Sequence, residues 1–158
     1  MQTTARLLAG AWLSAALLST SAQACQAMHG FSGAVVPVQQ MPGPSAFWAH
    51  AAWMPNGWPT ITYGPTYYSL PPIMQRFTYF HECAHLVLQT SNEFVANCRA
   101  LQLMQAQGLT SQEENFIANF HANVGPLSPQ YGGSGAAFWA NTLNVCANGI
   151  NGTEVGNY

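Results

Sequence analysis

The sequence predicts an α+β protein that is mainly helical: a helical hairpin carrying HExxH, with a short edge strand before it and two further helices after it. Three observations lead there. Ile73, Phe77, Phe80, Ala84 and Val87 recur at spacings of three and four, the period of an amphipathic helix, and that stretch contains His81-Glu82-Cys83-Ala84-His85. Just upstream, Thr60-Ile61-Thr62-Tyr63 is β-branched and aromatic, bounded by Trp58-Pro59 and Gly64-Pro65. That composition makes a strand, and prolines at both limits favour an edge position. Downstream, signals for new helices follow in Ser91-Asn92, in Thr110-Ser111 and after the glycine-rich run from Gly132 to Gly135.

The chain of 158 residues opens on a segment set apart from the fold. Arg6, the apolar run from Leu7 to Leu18 and the ending Ala22-Gln23-Ala24 are the three parts of a secretory signal peptide. Residues 1–24 are therefore expected to be removed on export, leaving 25–158 as one domain, periplasmic or secreted. The apolar run is shorter than a membrane span, and none is expected in the mature form. Cys25 would suit lipid attachment, but the A-x-A ending fits a signal-peptidase site better than a lipobox. Charge is sparse, with 3 Lys+Arg against 5 Asp+Glu and neither lysine nor aspartate anywhere. Beyond the leader only Arg76 and Arg99 are fixed cations, too few to neutralise a run of phosphates or to hold an anionic membrane surface.

From Cys25 to Gly57 the chain is rich in Gly, Pro, Ala and aromatics, with Val35-Val36-Pro37-Val38 as its strand-like run. Trp48, Trp53 and Trp58 are expected to cover the helices, with a substrate groove as the other use of their bulk. The strand at 60–63 is either a plain structural strand or, if it lies at an edge, a pairing partner for an extended peptide next to the helix that carries His81 and His85. Pro71-Pro72 suits a helix start, and the first helix runs to about Val87. The second, capped by Ser91 or Asn92, carries Phe94, Cys98, Leu101 and Met104 or Gln105 on its stripe and ends near Gly108. The third begins with Ser111 and Glu114 as a capping box and runs to about Val124, with Phe116, Ile117 and Phe120 inward. The fourth spans Ala136 to about Cys146, and Asn148 to Tyr158 reads as a frayed tail.

On the first helix His81 and His85 are one turn apart on one face, able to offer two imidazole nitrogens to one ion. Glu82 is about 100° around the helix, placed to serve as a base beside the ion and not as a ligand. Glu93, the next carboxylate, is a candidate third ligand carried back by the second helix. Two imidazoles and one carboxylate suit zinc. Four cysteines, Cys25, Cys83, Cys98 and Cys146, read in an exported chain as two disulfides with three possible connectivities. The expected pairing is Cys83 with Cys98 across the hairpin, a short loop worth about 3 kcal/mol, and Cys25 with Cys146 at the ends. Unpaired core cysteines are the alternative for Cys83 and Cys98.

HECAH followed closely by EFVANC resembles small exported proteins that carry HEC[AG]H and then E-x-x-A-D-C, and more broadly the gluzincin metallopeptidases, over about Pro59 to Arg99. The resemblance implies a zincin-like hairpin holding one Zn2+, with His81 and His85 as the first two ligands, Glu93 as the third and Glu82 as general base for hydrolysis of a peptide or protein substrate. His121 and Tyr63 are candidates for an oxyanion donor, with a structural role on the third helix as the favoured reading of His121, whereas His29 and His50 stand in loops without a catalytic argument. The chain departs from the pattern at Asn97, where aspartate would be expected to accept the outer N–H of a ligating histidine. It departs again in the eight-residue step from His85 to Glu93, shorter than gluzincins use. Asn97, the small size and the absence of an obvious specificity subsite leave room for a second reading, a non-catalytic exported module that binds zinc for structure or assembly.

Overall fold

The computed structural model describes residues 24–125, 127 and 129–149. Stretch 1–23 of the expected leader and stretch 150–158 of the expected tail lie outside them. The order is β1 (Gln26–Met28), β2 (Val35–Pro37), β3 (Gln39–Pro42), β4 (Ala49–Trp53), β5 (Pro59–Tyr63), a 3-10 turn (Pro65–Ser69), α1 (Pro72–Leu88), α2 (Glu93–Ala106), α3 (Ser111–Ala122), a short 3-10 turn (Pro129–Tyr131) and α4 (Gly135–Asn148). The protein is thus α+β and mainly helical. No helix among the described residues is long and apolar enough to cross a membrane.

The strands form two small sheets. β1 and β2 make an antiparallel hairpin, with Gly33 at φ +67 in its turn, where only glycine is unstrained. The second sheet has the order β3-β5-β4, β5 pairing parallel with β3 and antiparallel with β4. The strand at 60–63 is therefore central and not at an edge. Its prolines do not prevent this, because Pro59 opens the strand and Pro65 follows it, so neither removes an N–H from the interior of the ladder. Ile61 is fully buried there. The free edge near the helices belongs to β4, whose Ala-His-Ala-Ala-Trp lacks any β-branched residue and gave no strand signal.

α1 starts at Pro72 and ends where Gln89, at φ +51, takes the left-handed conformation and donates its N–H to the His85 carbonyl. Asn92 caps α2, its side chain accepting from the N–H groups of Phe94 at 3.0 Å and Val95 at 3.2 Å. The capping box of α3 forms one residue earlier than expected: Thr110 accepts from the Glu113 N–H, and Glu113 accepts from the Thr110 N–H at 2.9 Å. In that register Ile117 is fully buried while Phe116 turns 43% to solvent, so Phe116 is not the inward residue it was expected to be. Ser134 caps α4.

α1 divides the core. One face packs with α2, α3 and α4 through Phe77, Phe80, Met104, Ile117 and Trp139; the other packs against the strands through Cys83, Leu86, Ile61 and Cys25. Both expected disulfides are re-paired: the bonds are Cys25–Cys83 and Cys98–Cys146, with Cα separations of 5.9 and 5.2 Å. Helix geometry gives the reason. Cys83 is two positions beyond His81, about 200° around α1, so if His81 looks toward α2 then Cys83 looks away from it, toward the strands.

Candidate metal centre

His81 and His85 project from the third and fourth turns of α1, and both imidazoles are held by their Nδ1 atoms. His81 Nδ1 donates to Asn97 Oδ1 at 2.7 Å, and the same amide passes its own N–H to Thr142 Oγ1 on α4 at 3.2 Å. His85 Nδ1 donates to the Thr90 carbonyl at 2.7 Å, an acceptor supplied by the turn after α1. With both protons on Nδ1, both Nε2 atoms carry lone pairs, and these lie 3.0 Å apart.

The reversal from Gln89 to Asn92 brings Glu93 back as the first residue of α2. Its Oε2 sits 3.0 Å from His81 Nε2 and 3.5 Å from His85 Nε2. Three acceptor atoms therefore converge, an arrangement that a shared cation would satisfy. Donors about 2.1 Å from one ion at tetrahedral angles stand roughly 3.4 Å apart, close to the separations here. His81, His85 and Glu93 are thus a group able to hold a metal ion. A proton on one Nε2 plays a weaker version of the same part. Burial pulls the His85 pKa down, yet the hydrogen bond and charge of Glu93 outweigh it and hold it above the usual value. Burial likewise pushes Glu93 up, but its bonds to His81 and His85 keep it well below the carboxylate range.

The three donors open on a cavity of about 1190 Å³. Glu82, only 7% exposed, borders it from between the two histidines. Across from α1 the cavity is bordered by the edge strand β4, which pairs with β5 on one side only among the described strands. Trp48 and Trp53 line this wall as well, so two of the three tryptophans face the groove, while Trp58 donates its indole N–H to Pro37. His29 and His50 border the cavity too, His50 from β4 and not from a loop.

The two oxyanion candidates separate. Tyr63 does not line the cavity; it is buried, stacks on Tyr67 and donates to Gln40 Oε1 at 2.8 Å. Burial and the neighbouring tyrosines push its pKa above the normal phenol range. His121 does line the cavity, but its Nδ1 donates to the Ile117 carbonyl at 2.9 Å. Burial pulls its pKa down to about 4, so the ring is neutral and Nε2 is an acceptor, which does not suit the donor role that was one of two uses considered for it.

Sequence reasoning missed two partners of the site. The Thr90 carbonyl is backbone and carries no residue signature. Thr142 lies 45 positions from Asn97 and became a neighbour only through the packing of α4 on α2. The chain matches no family model, no curated protein and no solved structure.

Proposed function

We propose that this protein is an exported zinc metallopeptidase of the gluzincin kind, resembling the small HEC[AG]H proteins. The observation that carries this reading is the meeting of three lone-pair donors, His81 Nε2, His85 Nε2 and Glu93 Oε2, in a cavity that Glu82 also borders. Zinc bound there would supply an acidified water and a Lewis acid for a peptide carbonyl. The protein's own groups do the rest. With that ion in place Glu82 would serve as general base, accepting a proton from the attacking water and returning it to the departing amine. Asn97 and Thr90 fix the two imidazole tautomers, so that neither ligand has to reorganise when the ion arrives. The free edge of β4 gives an extended substrate backbone hydrogen-bonding groups along the cavity wall, the part first assigned to the strand at 60–63. Export rests on the leader, and the two disulfides fit an oxidising compartment.

A second reading, a zinc module without catalysis, is favoured by one observation: Asn97 is neutral where a carboxylate would strengthen His81 as a ligand. The two separate on purified protein, by metal content and by hydrolysis of an internally quenched peptide library. Glu82→Gln should keep stoichiometric zinc and lose about 10²- to 10⁴-fold in rate, the usual contribution of a positioned base. Glu93→Gln should lose zinc. Hydrolysis by Glu82→Gln at the wild-type rate, or a zinc-loaded wild type that cleaves nothing in the library, would sink the peptidase and leave the structural module.

A further inference from the structure

The end of the cavity between α1, α3 and α4 differs from the rest. Phe77 separates it from the metal centre, its ring centroid 6.3 Å from that of His81 and 5.1 Å from that of His121. The walls there are Val124, Leu127, Tyr131 and Phe138, with His121 among them. Of the two carboxylates that line the cavity, Glu82 is on α1 and Glu93 on α2, so neither is on α3 or α4, and no lysine or arginine lines any of it. A charged side chain entering this end would lose its hydration and find no lining counter-charge on α3 or α4.

His121 and the Tyr131 hydroxyl are the polar groups among these walls, and the orientation of His121 is fixed from three sides. Trp139 stacks on its ring at 4.8 Å, Nδ1 is tied to the Ile117 carbonyl, and the first residue of α4 presses on its backbone. That residue is Gly135, where a Cβ would run into the His121 carbonyl oxygen, so no side chain fits there. Since a carbonyl only accepts, Nδ1 keeps the proton and Nε2 keeps a lone pair. No described residue hydrogen-bonds Nε2. A fixed acceptor without a hydrogen-bond partner among the described residues is satisfied by a donor that an occupant brings, and costs affinity for an occupant that brings none.

We infer that this end of the cavity is a side-chain subsite for tyrosine, whose ring enters among Phe77, Val124, Leu127, Tyr131 and Phe138 and whose hydroxyl donates to His121 Nε2. The inference rests on the peptidase reading and adds the residue type selected beside the scissile bond. Tyrosine matches both features of the subsite. Its ring adds apolar area in an aromatic setting, and its donor sits at the far tip without a charge. Phenylalanine brings the ring without the donor, and O-methyltyrosine brings the oxygen without the proton. In this subsite His121 is a specificity determinant and takes no part in bond cleavage.

The test uses zinc-loaded protein and three otherwise identical quenched peptides carrying tyrosine, phenylalanine or O-methyltyrosine. Binding is measured by competition for the protein and turnover by fluorescence. One neutral hydrogen bond corresponds to about 3- to 10-fold. The tyrosine peptide should lead the other two by that factor in affinity, and in kcat/KM where it is cleaved. His121→Phe should erase the lead of the tyrosine peptide over the phenylalanine peptide. Equal binding of tyrosine and O-methyltyrosine by wild type overturns the subsite, with no variant needed. So does a tyrosine lead that survives His121→Phe. Tyrosine-selective binding without cleavage of any peptide sustains the subsite and removes the peptidase reading, which keeps the two failures apart.

Discussion

His81 owes its tautomer to a neutral amide, and this sets how tightly the hairpin can hold an ion. Asn97 is 1% exposed and bonded on both sides, to His81 and to Thr142. Asn97→Asp keeps both partners in reach, because a carboxylate accepts from the imidazole and from the threonine hydroxyl alike. Zinc affinity should rise by about 10- to 100-fold in a chelator-competition titration, while the metal-free protein, left with a buried charge, loses stability. Unchanged affinity would mean that the amide already does all that the position can. His121 sets a second residue-level expectation. Its folded pKa of about 4 lies below the ordinary 6.5, so the unfolded chain takes up a proton that the folded one refuses between those values. Stability is full above pH 6.5 and declines as pH falls toward 4, by about 3 kcal/mol from this group alone. Denaturant titrations at pH 7 and 4.5, with a chelator present to silence the metal centre, should show that decline in the wild type and a smaller one in His121→Phe. The ligands themselves were readable because they fall within one hairpin, where helical angles decide which side chains meet. Their partners Thr90 and Thr142 were not, one being a carbonyl and the other a product of tertiary packing.

At the level of elements, the turn between α1 and α2 does the most for the site in the fewest residues. It must reverse the chain quickly enough for Glu93 to return to His85, and it does so by placing Gln89 at φ +51. A non-glycine side chain there carries roughly 1–2 kcal/mol of steric strain. Gln89→Gly should relieve part of it and stabilise the fold by up to about 1 kcal/mol in chemical denaturation, with zinc affinity unchanged. A loss of stability would show that the Gln89 side chain, which borders the cavity, is held there by more than its backbone. Helix positions followed the sequence closely, since periodicity and caps are local. The strands did not: β5 announced itself by composition but its place in the sheet depends on β3 and β4, and β4 announced nothing. The capping box slipped by one residue because Thr110-Ser111 and Glu113-Glu114 offer two overlapping solutions, and the burial of Ile117 decides between them.

For the whole molecule the two cores meet at α1, and each is closed by one disulfide. Cys25–Cys83 joins the first strands to α1, and Cys98–Cys146 joins α2 to α4, at sequence separations of 58 and 48. Loops of that size are worth about 4 kcal/mol each in the chain-entropy model, more than the short Cys83–Cys98 loop first expected. The pairing was open in the sequence, yet one constraint was present there: ligands on one face of α1 send Cys83 to the other. The two closed rings do not interlock. They sit in series, and the segment joining them, residues 84–97, contains His85, Glu93 and the strained turn. A peptide-bond cut inside either ring leaves one covalent molecule, whereas a cut in the joining segment makes two. Zinc bound by His81 with Glu93 would then be a removable third fastening across that gap. Protein nicked between Gln89 and Asn92 should stay together in zinc and come apart into its N-terminal and C-terminal halves on chelation without any reductant, as sizing under native conditions would reveal. Halves that remain associated after chelation would place the cohesion in the α1–α2 packing instead of in the ion.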